Sequence, residues 1–428
     1  MKRFGLLALM SVLVPGLALY FVSCGGGGGG TAGGGGNPPV NYSSPSQAAS
    51  SSQAVTAALA LSSAVGSAAD LAGSQIPAGY APSLKAKAVD TSAIANIDPR
   101  LKTVIDKMMT DLKNPMVGAA LTKARSLKTV SLASTISVSN PCATGGYYTV
   151  SGSDTSTGTY SEHTVNVVYY SCQDSATYPY VVLSGSLSAY DKHTLDGLSD
   201  TADVTATALS LATHMSSTVS STDVLTGTFN KSSAVSGGVT SGTSGINGSI
   251  QVTSNLDSTV IDATVGFNNI SDVWSSTTTT SSGTVTTEEH TLNGSLTFGI
   301  SSGGSSFTFA LSLSQLDDKV RTNADLSEDE WISGSISMNW SPNPDASACL
   351  PGTLTIATLI PIHTPNGGFC PTSGEFTVNN ADIKFGVPSG TQVTVTVGGS
   401  SLELTDCPHW AGVHVSRSGR QVSQPASL

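Results

Sequence analysis

The sequence predicts a mainly β protein: a long antiparallel meander forming a strongly curved sheet or barrel, with a short N-terminal helical segment packed on its apolar face. Three observations predict it. From about Val130 apolar residues recur at every second position, the period of a half-buried strand. Six stretches of that region share the pattern apolar-x-Gly-Ser/Thr-apolar: LSGSL at 183–187, LTGTF at 225–229, INGSI at 246–250, LNGSL at 292–296, ISGSI at 332–336 and LPGTL at 350–354. The alternating runs are separated by short clusters such as Ser302-Gly303-Gly304, which suit hairpins rather than crossovers.

The alternation predicts which side chains share a face. Leu292, Gly294, Leu296 and Phe298 fall on one side of a strand, and Asn293, Ser295 and Thr297 on the other. Ile332, Gly334, Ile336, Met338 and Trp340 divide in the same way from Ser333, Ser335, Ser337 and Asn339. The glycines of the pattern, Gly185, Gly227, Gly248, Gly294, Gly334 and Gly352, lie on the apolar side where a large residue is expected. A missing side chain there permits sharp bending or the close approach of another element. Their separations of 42, 21, 46, 40 and 18 residues point to a unit near 20 residues, some copies lacking the glycine. TVIDATVGF at 259–267 and FTFALSLSQL at 307–316 are such copies.

The N-terminus has a different character. Lys2 and Arg3 precede an apolar run from Phe4 to Val22, then Cys24 and six glycines. An apolar run of this kind is an export signal before it is structure. Val22-Ser23-Cys24 resembles the lipobox of bacterial lipoproteins, with Phe21 departing from the usual Leu three residues before the cysteine. The resemblance implies a signal peptide over 1–23, a diacylated Cys24 as the mature N-terminus, and a lipid anchor bearing palmitate-like chains. Gly25 and Gly26 after the cysteine imply, by the same resemblance, sorting to the outer membrane, facing the periplasm or the cell surface. Residues 24–52 read as a Gly/Ser-rich tether.

Residues 53–127 read as the helical segment. Asp98 and Pro99 suit a helix start, and Leu101, Val104, Ile105, Met108, Met109 and Leu112 then share one stripe. The β domain follows over 128–407, and residues 408–428 read as a mobile tail. Inside the β domain, CATGGYYTVSGSD from Cys142 and CPTSGEFTVNNAD from Cys370 match at several positions. Each is followed by a second cysteine, Cys172 or Cys407, which predicts two related units, 142–172 and 370–407, each closed by a disulfide. Cys349 is left over, either buried and free or competing for Cys370.

Composition and motifs restrict the function. Formal charge is −11, falling to −13 when Lys2 and Arg3 leave with the signal peptide, so nucleic-acid binding is not expected. GISSG at 299–303 matches G-x-S-x-G, but strands on both sides make it a hairpin turn rather than a nucleophile elbow. Glu288-Glu289-His290 reads as solvated surface, and DLSEDEW at 325–331 as a solvated loop rather than a calcium site. His409 and His414 beside Cys407 make a poor zinc site. The expectation is a non-enzymatic, lipid-anchored envelope protein without cofactor or metal, acting as a structural or interaction module. Its partners would be the membrane, through the anchor, and another envelope protein or an apolar ligand. Two alternatives accompany it: a carrier holding an apolar ligand in the curved sheet, and an outer-membrane channel.

Overall fold

The computed structural model describes residues 38–49, 51, 134–256, 259–280, 283–341, 352–366, 371–386 and 393–404. Sixteen strands follow one another in chain order: β1 (Ser134–Pro141), β2 (Gly145–Ser156), β3 (Tyr160–Gln173), β4 (Tyr180–Thr194), β5 (Ser199–His214), β6 (Val219–Ser236), β7 (Val239–Leu256) and β8 (Thr259–Thr279) form the first half. β9 (Val285–Ser302), β10 (Ser305–Thr322), β11 (Glu328–Ser341), β12 (Gly352–Thr364), β13 (Ser373–Val378), β14 (Ala381–Phe385), β15 (Val393–Val397) and β16 (Ser400–Leu404) complete it. Every strand pairs with the next, so the order across the sheet is sequence order. Among the described residues the sheet is not closed into a barrel, and β1 and β16 are its two edges. Gly237-Gly238, Gly303-Gly304 and Gly398-Gly399 make two-residue turns with positive φ at both positions, the backbone whose twist matches that of the strands it joins.

One face of the sheet is buried and the other is wet. Leu292 and Leu296 of β9 are buried while Thr297 between Leu296 and Phe298 is exposed; Ile332, Ile336 and Met338 of β11 are buried while Ser333 and Asn339 are exposed. The buried side chains form one core that runs from Val150 on β2 to Val397 on β15. Each large aliphatic held there contributes roughly 1.5–3 kcal/mol relative to exposure.

The glycines of the recurring pattern mark a line of bulges across this face. On β10, Leu311 and Leu313 point inward, then Leu316, Asp318 and Val320: the phase slips by one residue. The slip occurs where β10 places two residues against one on each neighbour, the definition of a β-bulge. The same slip occurs on β5 between Ala206 and Leu209, and on β8 between Phe267 and Ile270. At each bulge one non-glycine residue takes a left-handed backbone: Ala208 at φ 45°, Asn269 at 47°, Gln315 at 44°. Such a residue costs about 1–2 kcal/mol relative to the ordinary backbone. It keeps apolar side chains inward on both sides of the kink.

A bulge pushes its backbone toward the next strand, and the glycine receives it. A Cβ on Gly294 would lie against the Asn269 carbonyl oxygen and 2.6 Å from Ile270 Cα. One on Gly334 would meet the Gln315 carbonyl oxygen and Leu316 Cα at 2.7 Å, and one on Gly185 the Ala208 carbonyl oxygen and Leu209 Cα at 2.8 Å. The residue before the glycine has its own task. Asn293 Oδ1 accepts the Gln315 N–H at 2.8 Å, Asn247 Oδ1 accepts that of Asn269 at 3.2 Å, and Thr226 Oγ1 accepts that of Ala208 at 3.2 Å. These are amides of bulged residues, and a side chain satisfies each. Gly227 and Gly248 instead face each other across β6 and β7. The β8 and β10 stretches that lack the glycine are thus bulged strands.

Part of the stretch that the sequence reads as tether is docked on the sheet. Pro39 bridges Thr353 in parallel, Val40 N–H donates to the Thr353 carbonyl at 3.0 Å, and Thr353 N–H donates to the Pro38 carbonyl at 2.9 Å. The arm fills the edge of β12 where β13 has not yet begun to pair. It passes over Gly352, where a Cβ would meet Val40 Cγ2 at 2.7 Å. The turn between β13 and β14 clasps it: Asn379 Nδ2 donates to the Val40 carbonyl at 2.7 Å, and Asn380 Nδ2 to the Tyr42 carbonyl at 3.1 Å. A helical turn follows, α1 over 45–49, with Ser44 Oγ and the Gln47 side chain capping its start. Val40, Tyr42 and Ala48 join the core. Composition hides this, because two apolar residues among Pro, Ser and Asn are enough to bind an arm that is already extended. The helical segment 53–127, the signal peptide 1–23 with Cys24, and the tail 408–428 lie outside the described residues.

Candidate functional site

Below the line of bulges, the buried face changes from apolar to polar. Asp191 on β4, Ser244 on β7, Asp272 on β8, His290 on β9, Asp318 on β10 and Glu330 on β11 are all buried. Their positions follow from the phase slip. On β10 and β8 the residue that lies inward two places after Leu316 or Ile270 is an aspartate. On the glycine-bearing strands β9 and β11 the inward residue four places before the glycine is His290 or Glu330. The register makes these a belt: Asp272 lies opposite Ser244, and Asp318 opposite His290.

Two histidine–carboxylate pairs sit in the belt. His290 Nδ1 lies 3.0 Å from Asp272 Oδ2 and 3.2 Å from Oδ1. His193 Nδ1 lies 3.5 Å from Asp191 Oδ2. Burial, with Asp200 as a like charge nearby, pushes the Asp191 carboxyl above the usual carboxylate range, and His193 pulls it part of the way back. Asp272 lies opposite Ser244 on β7 and its carboxylate reaches His290 on β9, so a carboxylate rather than an imidazole occupies the middle of that line. A serine nucleophile needs the imidazole in the middle.

His290 corrects one expectation: it is buried against Asp272, not solvated. The acidic stretch 325–331 divides. Asp325 is a turn residue, accepting from Ser327 N–H at 3.0 Å and Ser327 Oγ at 2.7 Å. Asp329 faces outward, 2.8 Å from His363 Nδ1, while Glu330 is turned into the core. Among the described residues no group of three His, Cys, Asp or Glu is arranged to hold a metal ion. Residues 299–303 run through the end of β9 into the turn before β10.

Cys142 and Cys172 are joined by a disulfide, with 5.3 Å between their Cα atoms. It closes the β2–β3 hairpin, and Cys172 reaches the inward face because β3 slips phase between Tyr169 and Cys172. Cys349, Cys370 and Cys407 lie outside the described residues. The two stretches with matching sequence fold differently. GGYYTVSGSD runs through β2 without a break, whereas GEFTVNNAD turns at Asn379-Asn380 and returns as β14. Two asparagines after the shared Thr-Val stop the second strand, so the expected equivalence of the units does not extend to their backbones.

The outward face is hydroxylated and laced across strands. Ser153 bonds Thr164 at 3.1 Å, Ser232 bonds Thr243 at 2.8 Å and Thr253 donates to Asp262 at 2.7 Å. The pairs Lys192–Glu162, Lys319–Glu289 and Lys384–Glu375 also lie on it. No family model matches the chain, and comparison with curated proteins and with solved structures finds no match.

Proposed function

We propose that the protein is a lipid-anchored, non-enzymatic component of the bacterial cell envelope, held at the outer membrane through Cys24 and acting as a structural or interaction module. The observation that carries this reading is the N-terminal order of parts. A charged start, an apolar run and Cys24 are followed by Gly25–Asn37, and the chain is docked on the sheet from Pro38 onward. Gly25–Asn37 is 13 residues of mostly glycine, a composition whose flexible-chain r.m.s. reach is roughly 20 Å. It meets the sheet at β12 and the β13–β14 turn, so that side is tied nearest the membrane.

The outward face supports an aqueous setting. Its hydroxyls and ion pairs would be costly against lipid, which counts against the channel alternative. Buried carboxylates on the inward face count against a pocket for a purely apolar ligand. The test is the mature N-terminus of the full-length chain made in a Gram-negative host. The reading expects an N-terminal peptide beginning at Cys24 with added acyl mass, and loss of membrane association in Cys24→Ser. An unacylated N-terminus at any other residue would contradict it.

A further inference from the structure

Charge is divided unequally along the chain. Residues 134–404, which contain the whole sheet, carry 23 Asp and Glu against five Lys and Arg. Residues 85–128 carry nine Lys and Arg against four Asp. The excess of acid is not only on the wet face. On the inward face the belt itself is acidic, with Asp191, Asp272, Asp318 and Glu330 buried.

We infer that the acidic belt on the inward face is the docking surface for this chain's own basic segment, residues 85–128. Three features select this occupant. The chain enters the inward side itself: Ala48 and Ala49 of α1 pack on the core and Ser51 is buried. The segment is therefore tied to the sheet at both ends, by the arm before it and by β1 after it, and meets the face at high effective concentration. Its chemistry matches in two parts. The stripe Leu101, Val104, Ile105, Met108, Met109 and Leu112 suits the apolar rows, and at 100° per residue Lys102 and Lys113 flank that stripe on one side and Arg100 and Lys107 on the other. Long basic side chains at a stripe's margin cover apolar surface with their stems while their heads reach charge.

The test is hydrogen exchange followed by mass spectrometry on the full-length protein and two variants. One carries Asp318→Asn and Glu330→Gln; the other carries Arg100→Gln, Lys102→Gln, Lys107→Gln and Lys113→Gln. In the unsubstituted protein the amides of 98–113 are expected to exchange about tenfold or more slower than unstructured chain, and both variants should lose that protection. The amides of β8–β11 should stay protected in the second variant, whose sheet is untouched, so it decides the matter if the first fails to fold. Protection of 98–113 that is absent at the outset, or that survives the second variant unchanged, would overturn the proposal. Protection that appears only at concentrations where the chain dimerises would assign the face to a second copy and overturn it equally.

Discussion

β10 runs for 18 residues and changes phase in the middle; β15 runs for five and does not. The contrast extends to their surroundings. β14 and β15 alternate buried and half-buried residues without interruption, and β13 to β16 pair with no register shift. Their inward residues are apolar throughout: Ala381, Ile383, Phe385, Val393, Val395 and Val397. β5, β8 and β10 are bulged, and the adjoining strands carry glycines that receive the bulges. Strands this long accumulate twist and curvature, and a bulge is how a bend is placed without turning the core outward. The short strands need no such device. The long ones place both apolar rows and a charged belt on one face, on opposite sides of the line of bulges.

The largest effect on this contrast should come from emptying the buried row where a bulged strand re-enters it. Leu316→Ala, at the fully buried position just after the Gln315 bulge, should cost about 4 kcal/mol, read by urea denaturation. Filling the space a bulge occupies comes next. Gly294→Val or Gly334→Val should each cost about 3 kcal/mol, combining an unfavourable backbone with a collision against the neighbouring strand's backbone. Gly304→Ala in the β9–β10 turn, where a Cβ meets nothing within 4 Å, should cost about 1–2 kcal/mol.

The polar residue before the glycine should matter less, but in a specific way. Asn293→Ala leaves the Gln315 N–H without its acceptor and should cost about 1–2 kcal/mol. Faster exchange should be confined to amides around Gln315. The smallest effect belongs to the outward pair of Asp329 and His363. Burial raises the Asp329 carboxyl somewhat, but hydrogen bonds from Asn323 and His363, with Arg321 close by, hold it below its ordinary value. A depressed carboxylate stabilises the fold above its unfolded pKa, near 4, and that contribution disappears as pH falls through the folded value. Asp329→Asn should therefore lower stability at pH 7 by up to about 1 kcal/mol and lose its effect on acidification, measured as melting temperature against pH.

The short strands were the easy part of the sequence to read, because VTVTV is alternation with nothing hidden. The long strands were recognisable as strands, and their antiparallel order followed from short turns. The glycine pattern was visible as well, but its partner was not. That partner lies on the next strand as a slip in phase, LSLSQLDDKV, where Leu311, Leu313 and then Leu316 break an otherwise regular period. Read as one period, that stretch sends Asp318 outward; read with the slip, it sends Asp318 into the core. The buried belt was missed for that reason. His290 was missed because Glu288 and Glu289 beside it suggest water, although one parity step separates the outward Glu289 from the inward His290. The docked arm was missed because its hydrogen bonds are made by backbone, which composition does not show.

The central claim is that β10 and its bulged neighbours change phase in mid-strand while keeping one buried face. Single cysteines placed in turn from Leu311 to Val320, alkylated in the native state and located by peptide mass spectrometry, measure that phase directly. The account predicts protection at 311, 313, 316, 318 and 320, with labelling at 312, 314, 315, 317 and 319. Protection at 311, 313, 315, 317 and 319, an unbroken two-residue period, would contradict it.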